Sequence, residues 1–127
     1  MKYNTVLRAN PQNRNAARKN YAIPVYTGEI DLKHIAAEIA ALSSLSSGDV
    51  YNVLINFTEA LPKYLKDGYK LRLGDFGIFK VSFSSEGVDD AKQIVPARIR
   101  SRRVLYTPGK DIKTSLEGMH FELESPQ

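Results

Sequence analysis

The chain has 127 residues, of which 43% are hydrophobic and 25% are charged, enough apolar material for one packed domain but too short for two catalytic domains. Its apolar runs fall far short of the roughly 18 residues that cross a bilayer, and its first residues lack the apolar stretch of a signal peptide. We therefore expect a cytoplasmic protein. The absence of cysteine excludes disulfides and thiolate metal sites.

The net charge of +4 is unevenly distributed. Residues 69–116 carry ten Lys and Arg against five Asp and Glu, and residues 1–30 carry five against one. Residues 117–127 carry three acidic side chains and no basic one. A dense basic cluster indicates either a polyanion-binding surface or a solvated strand. The densest cluster is Arg98, Arg100, Arg102 and Arg103.

Both ends of the chain show strand patterns. Residues 1–29 read as an extension in which apolar positions alternate over 3–8 and 21–25, on either side of a basic loop. The second strand must lie at a sheet edge because Pro24 cannot donate to a ladder. Residues 117–127 form a short acidic tail or strand, which we expect to pair with residues 3–8.

Two helices are predicted between these ends. After Asp31, apolar residues recur at helical spacing from Leu32 to Ala40 and predict the first helix. Ser46 followed by Asp49 then resembles a capping box, and a four-turn apolar stripe predicts a longer helix that stops at Gly68. The stripe consists of Val50, Val53, Leu54, Phe57, Leu61, Tyr64 and Leu65.

After Gly68, apolar residues recur at every second position. Residues 69–73 and 79–83 predict a hairpin, and residues 97–106 predict a third strand after a polar break. Pro108 is expected at the first position of a short last helix. So little protein cannot cover the apolar stripe of the second helix, and this predicts an obligate homodimer.

Two motifs add to this order of elements. Residues 74–81 read GDFGIFKV and residues 106–113 read YTPGKDIK. Together with the element order they resemble the HU/IHF family of histone-like DNA-binding proteins, in which the corresponding stretches read G-F-G-T-F-x-V and F-x-x-G-x-x-L-K. The resemblance covers about residues 30–116, and the added ends are similar to the longer HU-like proteins of the Bacteroidetes group.

The resemblance implies an α+β fold, an intertwined dimer with a helical base and a three-stranded antiparallel sheet extended into a β-ribbon arm. Short extra strands would lie at both termini. The arm would span about residues 81–104 and enter the minor groove of double-stranded DNA. The implied function is non-enzymatic: largely sequence-independent DNA binding and bending by a nucleoid-associated protein. The family's arm-tip motif N-P-x-T-G is missing, so Pro96 is the one candidate wedge.

The resemblance implies no cofactor, metal ion, small-molecule substrate or membrane partner. The second subunit would be another copy of the chain or a paralogue.

Arginine suits phosphate because its planar fork donates two hydrogen bonds. Strand residues i and i+2 lie about 6.7 Å apart on one face, so Arg98, Arg100 and Arg102 could follow a DNA backbone. The predicted DNA-binding residues are Arg98, Arg100, Arg102, Arg103, Lys80, Lys92, Lys110 and Lys113, with Arg14, Arg18 and Lys19 as further candidates. The predicted dimer core is Val53, Leu54, Phe57, Leu61, Leu65, Phe76, Phe79, Phe83 and Tyr106.

Two other functions stay open at this point. A dimeric protein-interaction module on the same scaffold would explain the missing tip motif and the acidic tail, and RNA is an alternative polyanion. Enzymatic activity is not expected, because the sequence shows no catalytic or metal-ligand constellation around His34 or His120.

Overall fold

A computed structural model describes residues 1–124, which divide into two compact units. The terminal unit comprises residues 1–31 and the described residues from 117 onward, and the central unit comprises residues 32–116. In chain order the elements are β1 (Lys2–Arg8), β2 (Lys19–Val25), α1 (Leu32–Ala41), α2 (Ser47–Lys66), β3 (Leu71–Arg72), β4 (Gly77–Ser85), β5 (Ile99–Pro108), α3 (Lys110–Glu117) and β6 (Glu122–Leu123).

The terminal unit is a three-stranded sheet in the order β2-β1-β6. β1 and β2 are antiparallel from Lys2 opposite Val25 to Arg8 opposite Lys19, so Pro24 lies on an edge strand as predicted. β6 runs parallel to β1, which confirms that the two ends of the chain pair. The rest of the predicted tail, residues 125–127, lies outside the described residues.

Both ends of α2 are closed by the signals that the sequence shows. The Ser46 hydroxyl oxygen accepts a hydrogen bond from the Asp49 backbone N–H at 3.1 Å. At the other end, the Tyr69 N–H donates to the Tyr64 carbonyl at 3.1 Å and the Gly68 N–H donates to the Leu65 carbonyl at 3.0 Å. These two bonds form a Schellman motif. The Tyr64 and Tyr69 rings add an edge-to-face contact at 6.3 Å.

The central sheet has the order β3-β4-β5 and is antiparallel throughout. The first strand is shorter than expected, because the chain enters a one-turn 3-10 helix at Gly74–Phe76. The expected position of Pro108 is wrong, since it ends β5 opposite Gly77 instead of beginning the last helix. The Gly109 N–H next to it donates to the Phe76 carbonyl at 3.0 Å, and this bond prolongs the sheet before α3 begins.

An aromatic cluster lies where β4 and β5 leave this turn. The rings of Phe76, Phe79 and Tyr106 stack with centroids 4.7 to 6.2 Å apart. The Tyr106 hydroxyl also donates to the Phe76 carbonyl at 2.6 Å. The sequence motifs that carry the family resemblance therefore meet in three dimensions at the base of the β4–β5 ribbon.

The central unit covers little of its apolar surface. Among the described residues only Ala36, Val50 and Gly77 are buried. On the stripe of α2, Val53 is 64% exposed and Phe57 is 43% exposed. Of the predicted dimer core, the residues classed as exposed are Val53, Phe57, Phe76, Phe83 and Tyr106, and those half-buried are Leu54, Leu61, Leu65 and Phe79.

Candidate nucleic-acid interface

The basic cluster lies on the ribbon formed by β4 and β5, and a bulge interrupts this ribbon. Ser82 faces Arg103 and Ser84 faces Arg100, so β5 holds one residue more than β4 over this interval. Ser101 lies inside the bulge with a φ of 57°, the only positive φ at a non-glycine position among residues 1–124. A bulge of this kind increases local twist and re-aims the side chains beyond it.

The bulge changes which arginines share a face. Residues that pair across an antiparallel ladder lie on the same side of the sheet, as do residues two apart on one strand. Arg100, Arg103 and Lys80 consequently share one face of the ribbon. The prediction that Arg98, Arg100 and Arg102 alternate onto one face is wrong, because Arg98 precedes the strand in a 3-10 turn and the bulge separates the other two.

Arg98 and Arg100 converge on one carboxylate. An Arg98 guanidinium nitrogen lies 3.4 Å from Glu86 Oε2, and a guanidinium nitrogen of Arg100 donates to Glu86 Oε1. The Arg98 Nε–H also donates to the Gln93 carbonyl at 3.1 Å. Glu86 thus binds both arginines while all three side chains remain about half exposed to solvent.

Arg102 and Arg103 have a different environment. Together with Lys66 they line an open groove between the end of α2 and the ribbon, whose other walls are Leu65, Val81 and Val104. No acidic side chain lines this groove. Within residues 1–124 neither arginine side chain has a hydrogen bond or ion pair, so both guanidinium groups are available to an anion.

Sequence reasoning missed Lys66. A lysine at the end of a helix is expected to interact with the last carbonyl groups. This expectation gave no reason to assign Lys66 to the basic groove. The only signal was its position on α2 one residue after Leu65, the last residue of the apolar stripe.

The remaining predicted site residues lie apart from this groove. Lys92 and Pro96 lie in the loop between β4 and β5, where Pro96 is exposed and begins the turn Pro96–Arg98. Lys110 and Lys113 lie exposed on α3. Lys80 is half-buried on the face that it shares with Arg103.

The expected arm is a ribbon only in part. The paired strands end at Ser85 and resume at Ile99, and the loop 86–98 between them contains two 3-10 turns. This loop, which we call the tip loop, carries three acidic and two basic side chains. Its charge is therefore opposite in sign to that of the strand that follows it.

Net positive charge belongs to the central unit. Residues 32–116 carry thirteen Lys and Arg against nine Asp and Glu, whereas the terminal unit carries five of each. Arg14, Arg18 and Lys19, the further candidates from the sequence, lie exposed in the terminal unit. Long-range attraction of a polyanion is thus a property of the central unit.

The comparison with family models agrees with this arrangement. A model described as "HU domain fused to wHTH, Ig, or Glycine-rich motif", the HU-HIG family, matches residues 1–123. The chain belongs to the HU-HIG family. The match includes β1, β2 and β6, so the terminal sheet of this HU-HIG chain is part of the family pattern along with the ribbon and helices.

A solved structure shows the same fold. The HU-HIG chain is similar to a crystal structure from Bacteroides vulgatus ATCC 8482 named "Putative bacterial DNA binding protein", with a TM-score of 0.61 and 16% identity. The alignment covers 99% of this chain and 50% of that one, so the HU-HIG chain spans half the length of its neighbour. No curated protein matches.

Neither a membrane-spanning helix nor a metal-binding cluster is found among residues 1–124. No helix within residues 1–124 has the length and apolar character to span a membrane. Over the same residues, no group of three or more His, Asp and Glu side chains is arranged to hold a metal ion.

Proposed function

We propose that this HU-HIG chain binds double-stranded DNA through phosphate contacts of its β4–β5 ribbon, with little dependence on base sequence. The observation that carries the proposal is the groove in which Lys66, Arg102 and Arg103 meet without a carboxylate. Arginine and lysine at such a site exchange condensed counterions for phosphate oxygens. The sequence shows no base-reading helix or motif, so we expect the shape and deformability of the DNA to set the preference.

The comparisons support a DNA-binding role. HU-like domains are DNA-binding architectural modules, and the family match extends over nearly the whole chain. The structural neighbour carries a DNA-binding name, although it is twice as long as this chain. By extension from the family we propose a nucleoid-associated function, with the paired arms following the minor groove.

The exposed stripe of α2 supports a dimer as the binding form. A contiguous apolar surface of this kind on a helix marks an interface, and Phe57 and Tyr64 of the stripe are 43% and 53% exposed on the single chain. A second copy would bring a second ribbon, so that two grooves act on one duplex. We propose a homodimer because the same stripe is present on every copy.

Fluorescence anisotropy with a labelled duplex at a series of salt concentrations tests this function. Two chains that each supply three cations make about six phosphate contacts, and the slope of log K against log salt should be about −5. The Arg102→Ala/Arg103→Ala variant should flatten the slope by about 3 to 4, since the pair of chains loses four contacts. A Lys33→Ala/Lys63→Ala variant removes the same charge elsewhere and should leave the slope close to that of the wild type.

A wild-type slope shallower than about −2 would contradict phosphate binding by the ribbon. Duplex RNA, nicked DNA and four-way DNA in the same assay separate the alternatives. Equal affinity for RNA would indicate a general polyanion binder, and failure to bind any nucleic acid by a chain that still dimerises would favour the protein-interaction module. Energy transfer between the ends of the duplex reports bending, and Pro96→Ala should reduce it if this proline is the wedge.

A further inference from the structure

The four arginines of the ribbon are unequal in their surroundings. Arg102 and Arg103 line the open groove with Lys66, while Arg98 and Arg100 share the carboxylate of Glu86. Glu86 is the first residue of the tip loop and approaches both guanidinium groups, one through each of its oxygens. The two arginines bind the carboxylate through both of its oxygens. A DNA phosphate could bind the same two guanidinium groups in the same way.

We propose that Glu86 is an intramolecular competitor of the DNA phosphate, which withholds Arg98 and Arg100 and thereby sets the affinity of the ribbon. The inference rests on the proposed function and assigns roles within it. Arg102, Arg103 and Lys66 bind the backbone, and Arg98 and Arg100 hold the tip loop against the start of β5. Glu86 is a positioning residue because it acts on DNA only through these two arginines.

Three observations favour competition over a purely structural role. All three side chains are about half exposed, so a phosphate could reach the same guanidinium groups. Arg98 also donates to the Gln93 carbonyl, a hydrogen bond within the tip loop that does not involve Glu86. The loop also carries a net negative charge, so its own field opposes the approach of DNA to this end of the ribbon.

The Glu86→Gln variant tests the proposal with a matched control. Glutamine keeps the size of the side chain but loses the charge that holds the arginines. An exposed ion pair is worth at most about 1 kcal/mol, so duplex affinity at low salt should rise by up to about fivefold for each arginine that is released. The slope of log K against log salt should steepen by about 3.6, since two chains release four arginines.

Asp89→Asn is the matched control, because it removes one negative charge from the same loop without a change in the size of the side chain. Asp89 is exposed, and within residues 1–124 its side chain has no hydrogen bond or ion pair. Asp89→Asn should leave the slope unchanged. Equal effects of the two variants would show that only the overall charge of the tip loop matters, and would overturn the proposal.

An Arg98→Gln/Arg100→Gln variant tests whether Glu86→Gln acts only by loosening the tip loop. It breaks the same ion pairs but frees no cation, so its slope should stay within about one unit of the wild-type slope. A flattening by about 3.6 would mean that Arg98 and Arg100 bind phosphate in the wild type, which would overturn the proposal. Circular dichroism confirms that each variant is folded.

The outcomes also separate this inference from the proposed function. If the wild type binds DNA and Glu86→Gln behaves like Asp89→Asn, the proposed function stands and the competition is wrong. If the wild type fails to bind but Glu86→Gln binds, competition is supported in its strongest form. If neither binds at low salt, both proposals are overturned.

Discussion

Gly77 and Gly109 lie where the two sequence motifs meet, and each is required by crowding. A Cβ on Gly77 would lie 2.2 Å from the Thr107 carbonyl oxygen, and one on Gly109 would lie 1.8 Å from the carbonyl oxygen of Asp75. Both obstacles are backbone atoms: Thr107 is paired within the β4–β5 ladder, and Asp75 lies in the 3-10 turn that precedes β4. The φ of +136° at Gly77 adds a conformation that other residues rarely adopt.

We expect Gly77→Ala to lower the free energy of unfolding by at least about 3 kcal/mol, because the substitution combines backbone strain with overpacking. Gly48 is a matched control at the start of α2, where a Cβ would meet no atom within 4 Å. Gly48→Ala should raise the free energy of unfolding by up to about 1 kcal/mol through helix propensity. Urea denaturation at one protein concentration measures both, and equal stabilities would contradict the crowding.

The arginines show a second effect at the scale of single residues. Four cations within six positions of the sequence meet two different environments, one dominated by Glu86 and one free of carboxylates. Their separation depends on a single inserted residue at Ser101. Substitutions of the cluster as a whole would therefore average two roles, and pairwise substitution is needed to resolve them.

Among the elements, α2 is defined by its own ends. Its N-terminus is held by the Ser46 side chain and its C-terminus by the backbone bonds of Gly68 and Tyr69. These signals are local, so the boundaries of the helix do not depend on what covers its apolar stripe. The ribbon is the opposite case, because its register depends on pairing between residues 14 to 31 positions apart.

Ser46→Ala should reduce the free energy of unfolding by about 1 kcal/mol, since the Asp49 N–H loses its partner. Ser47 is the adjacent control, and its side chain makes no hydrogen bond among residues 1–124. Ser47→Ala should change the free energy by less than about 0.5 kcal/mol. Thermal denaturation followed by circular dichroism distinguishes the two, and a loss of the same size for both would exclude the cap as the cause.

At the scale of the whole molecule, the central unit lacks an interior of its own. Only Ala36, Val50 and Gly77 are buried among the described residues, whereas a packed domain of this size encloses many large side chains. Folding of the central unit and association with a second copy are then expected to be one process, with stability that depends on protein concentration.

Phe57→Asp should abolish association, because it places a charge at the centre of the exposed stripe. Asn56→Asp adds the same charge one position away, at an exposed polar residue off the stripe, and should leave association intact. Sedimentation equilibrium measures the mass of each. A wild-type mass of one chain at micromolar concentration, or a dimer that survives Phe57→Asp, would contradict the proposed interface.

Local patterns were sufficient for most of the elements. The edge position of β2 follows from Pro24, the limits of α2 follow from Ser46 and Gly68, and the pairing of the two chain ends follows from alternation in both. The glycine motifs were also recognisable, although the reason for Gly109 is visible only as a close approach to Asp75. The alternation that marks each strand, the proline and the helix ends are patterns among neighbours in sequence, so they can be recognised without the tertiary structure.

The arrangement of the candidate site was decided by tertiary structure. Alternation predicted three arginines on one face, but the bulge at Ser101 and the ion pairs of Glu86 divide the cluster, and α2 adds Lys66 to it. A bulge is set by the register of two distant strands, and an ion pair between Glu86 and Arg98 depends on the path of the loop that joins them. The amino-acid sequence by itself determined where charge accumulates and which elements carry it, whereas only the folded ribbon determined which of those charges remain free, because that depends on distances across space.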